Sequence, residues 1–460
     1  MAMTRHDAPP DGTSAAAYSG PPLDACETDA SPPRAVDVVV IGGGIVGIST
    51  ALSLAERGVS VALCEKGILA GEQSSRNWGW VRKMGRDPRE LPLMIESMRI
   101  WDGLQGQHGL DLGFRRSGIV YLCRTERELA RRTAWLDHAR DFQLDSKLID
   151  AADVRHVLPG DLGRWLGALH TPSDGRAEPQ KAVPGLARRA RELGARIVTG
   201  CSVRGIETKA GRVSAAVTEH GTITCSSVVL AGGAWSRLFC RNLDLTLPQL
   251  KVIASVMRVD GVTEGPESAA LCSNFAFRKR ADGGYTVTGG TGAVADIVPD
   301  SFRFFRMFIP LAAAERRHTR LRLGRRFVEE YRQATRWRLD ERSPFEGARI
   351  LDPQPSIREL DDGLQQLKAA FPAFNTAKVR QRWAGMIDAT PDAIPVISGV
   401  DSLPGFYIAT GFSGHGFGIG PGAGRLMADI VTGHPPIVNP SAFRFSRFTD
   451  GSRLSFVTGL

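Results

Sequence analysis

Gly42, Gly44 and Gly47 carry the spacing G-x-G-x-x-G, and Glu65 stands 23 residues beyond the first of them. Residues of those types at that spacing hold a dinucleotide. Gly42 allows a tight turn, Gly44 lets a pyrophosphate come close to the backbone, and Gly47 lets a helix pack against a strand. Ile45 and Val46 lie where that helix begins, and the free amides and positive dipole end of a helix start favour a diphosphate. Glu65, with Lys66 beside it, accepts hydrogen bonds from a ribose 2′-hydroxyl, whereas a 2′-phosphate would meet a carboxylate. The set favours FAD or NAD over NADP.

The elements that must position these residues stand in register. Residues 37–41 read as a buried parallel strand, a helix runs to about Arg57, Gly58 stops it, and residues 59–64 form a second apolar strand ending on Glu65. Residues 226–230 read as another buried strand that runs into Ala231-Gly232-Gly233-Ala234-Trp235, where small residues admit a second backbone contact with the same ligand. A third block, 411–424, has glycine at 411, 414, 416, 418, 420, 422 and 424 between a strand at 406–409 and a helix at 424–432. Strand, glycine turn and helix again present amides to an anion.

At 460 residues, with 42% apolar content and 51 glycines, the chain suits one large two-lobed α/β enzyme or two to three domains. Residues 1–35 are rich in Pro, Ala, Asp and Ser without apolar periodicity, which predicts a disordered extension. The absence of a secretory apolar core and of an apolar run of about 18 residues predicts a soluble, cytoplasmic protein. Seven scattered cysteines without a C-x-x-C pair argue against a metal site or a disulfide framework. The net charge is +9, much of it between Arg316 and Arg342. Three readings of that segment stand: a solvated helix face, attraction to anionic lipid or an acidic electron acceptor, and nucleic acid, which no motif supports.

Between the glycine blocks, helices are predicted at 91–104 and 179–194, a strand at 195–203, and a hairpin of strands 213–219 and 222–224 turning on His220-Gly221. Segments 251–259, 274–280 and 285–289 read as an antiparallel sheet with hairpin chemistry at Asp282-Gly283-Gly284. A basic helical insertion at 310–342 and a helix at 360–371 follow, and the sheet is suited to roof a pocket.

In this order the three blocks resemble the FAD-dependent amine oxidoreductases of the D-amino-acid oxidase type, a group that includes glycine oxidase, sarcosine oxidase and D-amino-acid dehydrogenase. The resemblance spans residues 36–447 and also rests on Gly71-Glu72-Gln73-Ser74-Ser75-Arg76-Asn77, on residues 229–236, and on Trp383-Ala384-Gly385 through Thr390-Pro391-Asp392. It implies an α/β fold in which a Rossmann-like FAD-binding lobe (36–112, 179–247, 381–447) interleaves with an α+β substrate lobe (113–178, 248–380) on a mixed, largely antiparallel sheet, with a tail at 448–460. It also implies hydride transfer from the carbon beside an amine nitrogen to flavin N5, followed by hydrolysis of the imine. Carried over residue by residue, Gly42, Gly44 and Gly47 hold the pyrophosphate and Glu65 the adenosine ribose. Ser74, Ser75, Arg76 and Asn77 lie along the flavin, the Val203 backbone meets adenine, and Gly414, His415, Gly416 and Phe417 line the isoalloxazine edge. Ala231, Gly232 and Trp235 complete the expected cofactor set.

Two departures shape the expectation. Sarcosine-oxidase-like members tether flavin through a Cys where this chain has Gly385, and no His follows Ser74-Ser75, so the resemblance implies non-covalent FAD. Where glycine oxidase and D-amino-acid dehydrogenase relatives carry a carboxylate-binding Arg, five residues before the Asp of T-P-D, this chain has Ile387-Asp388. Either another arginine, Arg82 or Arg86, takes the carboxylate, or the recognised group is cationic and meets Asp388. His415 is either a structural and flavin-tuning residue or an acid–base group, and Trp78 and Trp80 either wall the pocket or pack the loop. The expected catalytic set is His415, Asp388 and Arg82, with no metal. The expected activity is oxidation of the C–N bond of an amino acid, N-substituted amino acid or related amine. Oxygen, a quinone or a partner subunit would accept the electrons, with peripheral membrane contact open. The alternatives are a flavin subunit of a multi-subunit opine or hydroxyproline dehydrogenase and a non-catalytic flavin-binding protein.

Overall fold

Val38–Ile41 forms a four-residue strand at the heart of a six-stranded sheet, with Val38, Val39 and Val40 fully shielded. Strands buried on both faces read as continuous apolar runs, which is why this segment and Ser227–Leu230 were legible. In the computed structural model, which describes residues 18–106, 108–290, 293–316 and 319–457, the strand order is Val396–Gly399, Phe406–Thr410, Ser227–Leu230, Val38–Ile41, Val61–Cys64 and Arg196–Val198. All neighbours are parallel except the first pair. The helices Ile45–Ala55, Pro179–Glu192 and Gly416–Thr432 share one apolar cluster on a face of this sheet.

A ten-stranded mixed sheet carries the second lobe. Its longest strands, Leu250–Asp260 and Lys378–Ala389, run antiparallel with Lys251 opposite Asp388 and Val252 opposite Ile387. Lys378–Ala389 therefore belongs to this sheet up to the Asp388 that reaches the cofactor lobe, across the expected boundary at 381. The hairpins appear where predicted, with Gly221 at φ +124° and Gly283 at φ +85°.

Four expectations change. The helix expected at 424–432 begins at Gly416, because Gly418, Gly420, Gly422 and Gly424 press against the Trp80–Val81 backbone, Ile45, Ser97 and Ser49, and a Cβ at any of them would sit within 3.1 Å of a neighbour. Close helix packing thus outweighs the poor helix propensity of glycine. The strand expected over 195–203 is two strands in different sheets, Arg196–Val198 and Val203–Lys209. The basic insertion is not wholly helical: between the helices Phe305–Glu315 and Arg325–Arg332, Thr319–Arg322 adds a parallel edge strand to Ala293–Asp296. The Arg322 side chain pairs there with Asp296 at 2.6 Å.

Of the predicted disordered extension, residues 1–17 lie outside the described residues. Residues 18–35 run along the surface in fixed contacts, because their polar groups find partners. Ser19 Oγ donates to Asp352 at 2.6 Å, the Asp24 amide to the Gln180 carbonyl, and the Asp29 amide to the Ile197 carbonyl.

Candidate active site

The ends of Val38–Ile41, Val61–Cys64, Ser227–Leu230 and Phe406–Thr410 open into one elongated cavity of about 1250 Å³, its mouth included. Gly42, Gly44, Ile45, Val46, Glu65, Lys66, Ala231, Gly232, Trp235, Val203, Ser74, Asn77, Asp388, Gly414, Gly416 and Phe417 all line it.

The turn after the first strand is built by exclusion. A Cβ on Gly42 (φ +110°) would lie 2.4 Å from the Ala231 carbonyl oxygen, and one on Gly47 would lie 2.0 Å from the Gly42 oxygen. Gly47 does not reach the cavity but lets the helix seat under the turn. Ser74 Oγ accepts the Ile45 amide at 2.9 Å and so caps the helix start. The Glu65 carboxylate accepts the amides of Gly43 and Gly67, both at 2.7 Å, while burial raises its pKa. The ammonium of Lys66 is committed elsewhere: it bonds Glu72 at 2.9 Å and the carbonyls of Ala348 and Arg349. It also stands 4.5 Å from the centre of the Trp235 ring, which Lys251 approaches to 5.8 Å. Lys251 is tied in turn to Glu330 of the insertion at 3.1 Å.

Asp388 fastens the two lobes. Its Oδ2 accepts the Gly411 amide at 2.6 Å, Thr410 Oγ1 at 3.1 Å and Gln249 Nε2 at 3.2 Å, and burial raises its pKa. Those donors hold the strand end against the glycine block. A Cβ added at Gly414 would lie 3.6 Å from the Ile387 side chain, so the residue standing in the arginine position faces the block.

Besides Gly47, four of the expected residues stand away from the cavity wall. Arg76 is buried with Nη1 on Asp352 at 2.6 Å and on the Ala384 carbonyl at 2.9 Å, which makes it a strut between lobes. Ser75 is shielded beneath Tyr18, with 3.2 Å between their hydroxyl oxygens. Arg82 donates to the Met84 carbonyl and sits 5.9 Å from the Tyr121 ring centre. His415 precedes the helix Gly416–Thr432 and points its ring at Glu90, 3.1 Å from Nδ1 to Oε2. Arg86 is fully buried between them, and burial lowers its pKa to about 10. Glu90 and Gln249 were not singled out from the sequence, and no local signal marks either: each acts on a residue distant along the chain.

These residues fit FAD. Three glycine-lined strand ends admit backbone approach, an acidic residue follows the second strand, and the starts of two helices, at Ile45 and Gly416, line the cavity. A Cβ at 385, the tether position of the resemblance, would sit 2.0 Å from the Gln73 amide oxygen.

The family described as FAD dependent oxidoreductase matches residues 37–430. Sarcosine oxidase subunit beta from Arthrobacter sp is 24% identical over 428 residues, covering 91% of this chain and 93% of that protein. Among solved structures, L-amino acid deaminase from Proteus myxofaciens in complex with anthranilate superimposes with a TM-score of 0.90 at 37% identity, covering 94% of this chain and 97% of that one. L-amino acid deaminase from Proteus vulgaris gives 0.88 at 35%, covering 92% and 99%. With the matched region running from the first strand almost to the end of the glycine-block helix, the chain belongs to the FAD-dependent oxidoreductases of the D-amino-acid oxidase type.

Proposed function

We propose that this enzyme oxidises the C–N bond of an α-amino acid by hydride transfer, and that water hydrolyses the resulting imine. The observation that carries this reading is the single cavity shared by three glycine-lined strand ends and closed by the long strand of the second sheet at Met386 and Asp388. The likeness to two L-amino acid deaminases supports the substrate class. Bound FAD supplies the hydride acceptor. Gly42 and Gly44 would admit its pyrophosphate, the helix start at Gly416 would offer a positive dipole end to negative charge on the bound group, and Asp388 fixes the glycine block. The cofactor is held without a covalent bond, since position 385 offers no thiol and no His follows Ser74-Ser75.

Anaerobic addition of amino acids to the full-length holoprotein tests this. Absorbance near 450 nm, roughly the band of any oxidised flavin, should bleach with α-amino acids, and acid precipitation should release the flavin to the supernatant. A flavin that no amino acid or N-methyl amino acid bleaches overturns the reading.

The likeness to sarcosine oxidase subunit beta favours assembly with a further subunit. We infer that the electron acceptor is met at a membrane. Among the described residues no helix is long and apolar enough to cross one. The insertion and its approach nevertheless expose Phe302, Phe305, Leu321, Leu323 and Tyr331, each more than three-fifths accessible, among the exposed Arg303, Arg306, Arg320, Arg325 and Arg332. Exposed apolar and basic side chains mixed through one segment suit an anionic bilayer. The protein should sediment with anionic vesicles, lose most of that binding in about 0.5 M salt, and ignore neutral vesicles. Equal partition into both, or none into either, removes this inference while leaving the amine chemistry standing.

A further inference from the structure

A second, smaller cleft of about 540 Å³, its mouth included, is lined by residues of the cofactor lobe, the second lobe and the basic insertion. Arg237 and Arg241 stand one turn apart on the helix Ser236–Asn242, and Arg326 and Glu330 one turn apart on Arg325–Arg332. Lys251 and Asp300 complete the charged lining, so Arg237, Arg241, Lys251 and Arg326 face only two carboxylates, Asp300 and Glu330. The cleft shares no lining residue with the flavin cavity.

The acids of this region are already shared. Asp300 holds Arg237 at 3.0 Å and Arg303 at 3.1 Å. Glu330 holds Arg326 at 2.7 Å and Lys251 at 3.1 Å. Asp296 holds Arg322 at 2.6 Å and Arg326 at 3.3 Å. Each carboxylate thus serves two cations, and Arg241 is left over. Among the described residues its side chain makes no hydrogen bond or ion pair, and burial followed by the neighbouring Arg303 lowers its pKa. Gln333 and Thr335 also line the cleft, and their side chains likewise make no hydrogen bond among the described residues.

Uncompensated cations in a concavity with low-dielectric walls attract an anion. A guanidinium fork matches the oxygens of a tetrahedral oxyanion, and an amide and a hydroxyl add neutral donors. The excess of two positive charges in the lining sets the charge of the missing partner. We propose that this cleft binds a compact, doubly charged oxyanion of the phosphate class, which bridges Arg241 of the cofactor lobe to the insertion and holds the insertion closed. The phosphate arrives as the free ion or as the headgroup of a lipid. This site stands apart from the amine chemistry and does not depend on it.

The test uses full-length holoprotein at mildly alkaline pH and constant ionic strength, with inorganic phosphate replacing chloride. Calorimetry should show saturable binding of one phosphate per chain, with a dissociation constant below about 1 mM. Arg241→Gln removes a charge whose loss strands no partner, so the variant should fold and should bind phosphate at least about tenfold more weakly. Arg325→Gln changes an insertion arginine outside the cleft and should bind as the native protein does, which separates a site from general charge screening. Trypsin cleavage after Arg326 requires its helix to open, so phosphate at ten times its dissociation constant should slow it about tenfold in the native protein but not in Arg241→Gln. Dibutyryl phosphatidate, a soluble lipid fragment bearing the same dianion, distinguishes the sources: tighter binding than inorganic phosphate assigns the cleft to a headgroup, weaker binding to the free ion. Absence of saturable binding by either, binding unchanged in Arg241→Gln, or cleavage indifferent to the bound ion overturns the proposal.

Discussion

Gly47→Ala is expected to yield a folded protein almost free of flavin, with less than about a tenth of the native flavin per chain after purification. The added Cβ would stand 2.0 Å from the Gly42 carbonyl oxygen, a backbone atom that no rotamer can move aside. Overpacking of this kind typically costs about 1–3 kcal/mol, and here the whole displacement falls on the turn that receives the pyrophosphate. Gly42 itself has no room to retreat, because its own Cα side faces the Ala231 oxygen. Gly58→Ala is the matched control. Gly58 also ends a turn, at φ +71°, but its Cβ would meet nothing within 4 Å, so that variant should lose some stability and keep its flavin. Native flavin content in Gly47→Ala would refute the assignment of this turn.

Arg278→Met should be the most destabilising single change at the join between the lobes, at about 3–5 kcal/mol. The guanidinium is 1% exposed and grips both Glu178 oxygens, at 2.6 and 3.0 Å, and also the Trp78 carbonyl. It thereby ties the strand Phe275–Lys279 to the residue that precedes the helix Pro179–Glu192 and to the loop after Asn77. Removing it strands a buried carboxylate, so adding Glu178→Gln should restore part of the loss, which denaturant midpoints of the two variants will show. The pH dependence follows. Burial opposes ionisation of Glu178, but Arg278 and Arg280 hold its folded pKa below the ordinary value. Its contribution is thus complete above the unfolded pKa of about 4.3 and disappears as pH falls through the lower folded value. The native protein should show this acid-side loss and Arg278→Met should lack it.

The cofactor lobe was legible because its physics is local. A turn that must let phosphate touch backbone can use only glycine, and the strand, turn, helix and acidic residue follow within 30 positions. Where two distant segments decide the outcome, sequence reasoning failed. Glycine from 416 to 424 reads as loop because its helix propensity is poor, and only the facing Ser49, Ile45 and Ser97 show why side chains are excluded. Arg76 lies beside Ser74 in the chain yet serves Asp352 and Ala384, because a buried guanidinium goes where acceptors are. Glu90 was invisible, since its meaning depends on a histidine 325 residues away. Residues 18–35 look disordered by composition, but composition does not report partners such as Asp352 and Gln180.

The ion pair between Lys251 and Glu330 bears on any attempt to trim the molecule. The insertion resembles a removable module joined to the sheet edge by one short strand, but excising it would strip Arg322 and Arg326 from the buried Asp296. It would also orphan an ammonium packed beside Trp235, whose pKa burial already lowers. Glu330 and Arg326 would leave together and water would reach the lysine, so a shortened enzyme would inherit a changed electrostatic surrounding behind Trp235 even though nothing lining the cavity had been cut.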